Sequence, residues 1–139
     1  MAGYSGTPLP QKLGIKTGFK VCFLALPSDV KSVLKKDLAG CEVVQADSVP
    51  LDFAMMFVKS QAEMKKHFPQ FSCRLAPSGT LWVSWPKKTS GLPVDLNEND
   101  VRRIGLAAGL VDVKVCAVSE VWSGLKFVIR VKDRPKKGR

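Results

Sequence analysis

Apolar and polar positions along this chain follow two alternating regimes. Residues 19–26 (FKVCFLAL) and 51–58 (LDFAMMFV) are near-continuous apolar runs, as strands show when both faces of a parallel sheet are covered. CEVVQA at 41–46, TLWVSW at 80–85, LVDVKVCAV at 110–118 and LKFVIRV at 125–131 supply four further strands. Between the runs the period becomes helical. Over 29–38, Val30, Val33, Leu34 and Leu38 form one stripe, and Gly40 stops it. Ser60 and Glu63 have the spacing of a capping box and open a second helix, which Pro69 is expected to divide into 61–67 and a piece from 69 to about 75. Asn97 caps a third helix at 98–108, with Val101, Ile104 and Ala108 inward.

The connections restrict how these elements assemble. Ala76-Pro77-Ser78-Gly79 reads as a turn into the fourth strand, and PKKTSGLPVDLN at 86–97 as a loop without regular structure. The last two strands are joined by SEVWSG, so they pair antiparallel, with Trp122 in the hairpin turn. Strands 41–46 and 51–58 lie close in sequence, and a parallel crossover between adjacent strands takes about a dozen residues or more. They form either an antiparallel hairpin or non-adjacent members of one sheet. Their doubly buried character favours the second.

A chain of 139 residues makes one domain, at 19–131. An N-terminal arm, 1–18, is expected to pack on it through Tyr4, Leu9, Leu13 and Ile15, and a basic tail follows at 132–139. An apolar fraction of 45% excludes a disordered segment. No apolar run is long enough to span a membrane, and residues 1–18 hold no secretory apolar core, so a cytoplasmic protein is expected. Cys22, Cys41, Cys73 and Cys116 are scattered and His67 is the sole histidine, a pattern that fits neither a metal site nor a disulfide framework. The net charge of +10 is concentrated in part in KDRPKKGR, which is either a solvated end or a foothold on nucleic acid. No catalytic acid–base pair stands out and G-x-S-x-G is absent, which argues against acyl transfer.

The order of elements, closing on an antiparallel hairpin, resembles the class I S-adenosylmethionine-dependent methyltransferase fold. LDFAMMFV, LAPSGTLWVSW and GLAAGLVDVKV look like its fourth, fifth and sixth strands with their flanking turns. The resemblance implies a truncated Rossmann-like α/β sheet of about six strands, order 2-1-3-4-6-5, with one helix–strand unit missing between residues 46 and 51. AGYSGTPLPQKLGIK at 2–16, LAPSGTLWVSWPK at 75–87 and GLVDVKVCAVSEVWSGLKFV at 109–128 also resemble a bacterial family known only as a domain of unknown function.

In such sheets ligands bind beyond the carboxyl ends of the strands where the order reverses, here between strands one and three. The candidate ligand-binding residues are therefore Pro27, Ser28, Lys59 and Ser60, with Asp47 on one side and Trp85, Lys87 and Lys88 on the other. Asp47 stands where the fold often sets an acid on a ribose, or is simply a turn former. Lys59 and the helix after Ser60 offer an anion a charge and free amides; Trp85 is either a pocket wall or core. The first strand–helix junction, LALPSDV, lacks the glycines that let a cofactor approach the backbone, and Pro27 removes a donor. S-adenosylmethionine is then expected to bind weakly. The reading this favours is a non-catalytic domain binding a small, anionic ligand or a protein partner. The alternatives are a methyltransferase with an atypical cofactor loop, and a nucleic-acid binder acting through the basic surface and tail.

Overall fold

The computed structural model describes residues 7–45, 47 and 50–134. Its regular elements are α1 (Leu9–Leu13), β1 (Lys20–Leu24), α2 (Ser28–Leu38), β2 (Glu42–Val43), β3 (Leu51–Phe57), α3 (Gln61–Ser72), β4 (Leu75–Pro86), α4 (Glu98–Ala107), β5 (Leu110–Ala117) and β6 (Trp122–Ile129). Six strands form one sheet in the order β2-β1-β3-β4-β6-β5, the order expected from the sequence. β1 pairs parallel with both β2 and β3, and β3 with β4, while β6 runs antiparallel between β4 and β5. β2 and β3 are not paired with each other, so the hairpin alternative is excluded.

Alternation along the central strands sends side chains to two cores. Cys22, Ala54, Met56, Leu81, Val83, Leu125 and Phe127 meet Met64, Phe68 and Phe71 of α3 and Val101 and Ile104 of α4. Val21, Phe53, Met55, Phe57 and Trp82 meet Leu9 and Leu13 of α1 and Val30 and Leu34 of α2. The N-terminal arm is thus a short helix that covers the sheet. Leu13 is fully buried, and its carbonyl accepts the Trp82 indole N–H at 3.0 Å. Tyr4 lies outside the described residues, as do residues 135–139 of the basic tail; Val131–Asp133 make a short 3₁₀ turn.

Several local expectations are corrected. Pro69 does not divide α3: the helix runs to Ser72, and Cys73 N–H still bonds Pro69 O at 3.2 Å. Proline removes only its own donor and leaves its carbonyl in the ladder. Residues 76–79 are not a turn before β4 but an outward bulge within it, since Leu51 opposes Leu75 and Phe53 opposes Thr80. β2 is only two residues long, against six expected, as befits an edge strand. Trp122 opens β6 instead of sitting in the hairpin turn, and its ring packs edge-on against Phe57 with centroids 5.1 Å apart. The loop 86–97 holds a 3₁₀ turn at Lys88–Ser90 and sends Leu96 into the core.

Gly105 on α4 faces Phe127, whose ring stands edge-on to Phe68 at 5.2 Å. A Cβ at position 105 would fall inside the Phe127 ring. Gly105→Ala gains about 1 kcal/mol of helix propensity but overpacks the core, at a cost of about 1–3 kcal/mol or more. The substitution should lower the urea midpoint; a higher midpoint would show that α4 does not approach β6 this closely.

Candidate crevice at the carboxyl ends of the first and third strands

Leu24 ends β1 directly opposite Met56 of β3, so the two following junctions, 25–28 and 58–60, are neighbours at one edge of the sheet. This brings Pro27 and Ser28 alongside Lys59 and Ser60. Ala25, immediately after β1, has φ of +58°. It is the only non-glycine in the left-handed region among the described residues. The chain therefore makes at an alanine the kind of turn for which sheets of this type use glycine. An L-residue there carries strain of about 1–2 kcal/mol.

The helix starts differ in how they are closed. Ser60 Oγ accepts from Glu63 N–H at 3.1 Å, and Glu63 Oε1 accepts from Lys59 N–H at 2.9 Å. Asp95, from the loop after β4, accepts from Gln61 N–H at 2.6 Å, while its own N–H bonds Lys59 O at 3.1 Å. At α4, Asn97 and Asp100 form a reciprocal capping box. At α2, by contrast, Pro27 is the N-cap and no side chain closes the helix start. The amides of Ser28 and Asp29 thus begin a helix without a side-chain cap, beside the turn at Ala25.

These contacts correct the expectation of free amides at the start of α3, where carboxylates of the chain itself are already seated. Asp95 gave no local signal because it lies 34 positions from Gln61. Lys59 remains exposed, two residues after the end of β3. Trp85, only 5% exposed, belongs to the core with α3 and α4. Lys87 is half-buried with its N–H on Val121 O at 2.8 Å, and Lys88 is exposed in the 3₁₀ turn. Asp47 is exposed, yet near enough to β1 that its charge, after burial itself, raises the Cys22 thiol above its usual range. Among the described residues no group of His, Cys, Asp and Glu could hold a metal ion. No described helix is long and apolar enough to cross a membrane.

At the level of sequence, no family model and no curated protein matches the chain. Solved structures do match. A precorrin-6y C5,15-methyltransferase from Geobacter metallireducens is 10% identical with a TM-score of 0.57, over 87% of this chain and 85% of that one. A SAM-dependent methyltransferase from Aquifex aeolicus is 16% identical with the same score of 0.57, over 84% and 85%. Magnesium protoporphyrin IX methyltransferase from Synechocystis, with bound SAH, is 13% identical at 0.56, over 81% and 74%. The fold is that of the class I methyltransferases. This corrects the reading of a non-catalytic binding domain, because the likenesses favour the methyltransferase alternative set beside it. At these identities the likeness itself establishes the fold.

If Ala25 is held in the left-handed region, glycine should relieve about 1–2 kcal/mol of strain there and lose about 0.5–1 kcal/mol through unfolded-state entropy. Ala25→Gly should therefore raise stability by up to about 1 kcal/mol in chemical denaturation, and Ala25→Val should lower it. A loss of stability with glycine would contradict the backbone geometry.

Proposed function

We propose that this chain is an S-adenosylmethionine-dependent methyltransferase that holds the donor in the crevice between β1 and β3. The observation that carries the reading is the left-handed turn at Ala25, set against the uncapped start of α2 at the reversal point of a methyltransferase-order sheet. The missing glycines count for less once the turn is seen to form without them. The donor carries no phosphate, so a pyrophosphate cradle is not required. Its residue-level fit is of three kinds. The turn brings the backbone of Ala25 and Leu26 to the crevice surface. The amides of Ser28 and Asp29, at the positive end of the α2 dipole, suit the donor's carboxylate. Asp47 suits the ribose hydroxyls, which a carboxylate accepts in pairs.

When bound, S-adenosylmethionine supplies a methyl group on a sulfonium, ready for attack by a nucleophile. The chain's part is to bind and orient. Lys59, exposed where β3 ends, would steer an anionic or electron-rich acceptor towards the crevice. Asp95 and Glu63 keep the α3 start closed, so the only helix start left open to a ligand in this crevice is that of α2.

Isothermal titration of the full chain with S-adenosylmethionine and S-adenosylhomocysteine tests the proposal. One-to-one binding at about 1–100 μM is expected, or about −5.5 to −8 kcal/mol. Ser28→Pro removes one amide at a helix position where proline is tolerated, after a residue already extended at ψ 147°. It should weaken both ligands by about tenfold with the fold intact. No heat up to about 1 mM, or equal binding by the variant, would sink the assignment.

A further inference from the structure

Away from the crevice, β5 and β6 place Lys114 and Lys126 directly opposite each other on the sheet face that α1 covers. Like charges in direct opposition weaken an antiparallel pair. Lys126 also opposes Trp82 and is half-buried, and its ammonium is driven below its usual range, first by burial and then by Lys114. Among the described residues neither lysine forms an ion pair with a carboxylate. A third lysine, Lys12 of α1, reaches the same place: its Nζ donates to Ala117 O at 3.3 Å. The charges of Lys12 and Lys114 both act on the thiol of Cys116, two residues along the same face. Lys12 and Lys114 line a concavity of about 620 Å³ together with Thr7, Gln11 and Val115 to Ala117, and Lys126 stands beside it, opposite Lys114. Its volume falls in the range of small-molecule sites.

Among the described residues no carboxylate lines the concavity, and neither the exposed Lys114 nor the half-buried Lys126 opposite it forms an ion pair. We propose that this concavity is an anion site that takes a phosphoryl group of a small molecule, with Lys12 and Lys114 in its lining and Lys126 adding charge from beside it. A phosphoryl dianion matches two converging point charges better than a single carboxylate does, and lysine binds phosphate as a point charge. Thr7 and Gln11 add hydroxyl and amide groups to the rim. The ligand is a small molecule because the lining holds, among the described residues, no aromatic ring on which a nucleic-acid base could stack. The site rests on side chains separate from the donor crevice and stands or falls independently of it.

Inorganic pyrophosphate is the probe, followed by amide chemical shifts and thermal melting of the full chain. Saturable shifts are expected at Lys12, Lys114 to Ala117 and Lys126, with a rise in melting temperature. Lys114→Ala and Lys126→Met should each weaken the probe by roughly tenfold and abolish the thermal shift. Lys126→Met without the probe should be at least as stable as the parent, since it relieves the opposed charges, so lost binding will not reflect lost folding. Lys65→Ala, on α3 across the sheet, should bind as the parent does. Absence of saturation, or equal weakening by Lys65→Ala, overturns the site. Binding of a single-stranded oligonucleotide but not of pyrophosphate overturns the small-molecule assignment.

Discussion

Everything in this fold depends on β1 being paired in parallel on both edges. A strand so placed must be apolar on both faces, and its two neighbours must each be reached by a chain that leaves the sheet and returns. Val21 and Cys22 meet the first condition by going to opposite cores, one under α1 and α2 and the other under α3 and α4. The second condition sets the reversal of strand order between β1 and β3. The crevice follows from that reversal and from nothing more specific. The junctions that carry Pro27 and Ser28, and Lys59 and Ser60, leave neighbouring strand ends because Leu24 and Met56 are partners.

The sheet lacks one helix–strand unit of the larger fold, and the chain makes up for it unevenly. On the α1 side, five residues of helix, Leu13 fully buried and the indole hydrogen bond of Trp82 seal the middle strands. At the β2 edge nothing similar is added. Val43 stays 60% exposed there, and Val33 on α2 59%. The pairing itself shortens to Glu42 and Val43, which limits the edge open to another strand. Polar contacts, one distant in sequence and one local, then decide which starts of the three longer helices remain open. Asp95 closes α3 and the Asn97–Asp100 box closes α4, leaving α2.

Much of the architecture was legible in the sequence because it rests on hydrophobic runs. The six strands and the three longer helices follow from periodicity and from the lengths of connections, and the strand order follows from the resemblance to the methyltransferase fold. Misreadings arose where local composition and tertiary context disagree. Ala76-Pro77-Ser78-Gly79 has turn chemistry, but β3 holds Leu75 in the ladder and the extra residues bulge outward. Trp122 reads as part of a hairpin turn, yet it opens β6 and packs on Phe57 of β3, two strands away on the same face. The site was harder to read. Alanine carries no sequence mark of a left-handed backbone, so the junction after β1 looked incapable of a turn that it makes. Trp85 has the chemistry of a stacking platform, yet the register of β4 points it inward. Asp95 closes a helix far from it in the chain, and spacing alone cannot reveal that.

Hydrogen–deuterium exchange of the full chain, with and without S-adenosylhomocysteine, tests the central claim most directly. Amide protection should rise at residues 25–31, where the left-handed turn runs into the uncapped helix, and at 58–61 across the crevice. The lysine concavity between α1 and β5 should be unchanged. Protection confined to residues 112–117, or none at the β1–α2 junction at saturating ligand, would contradict the account.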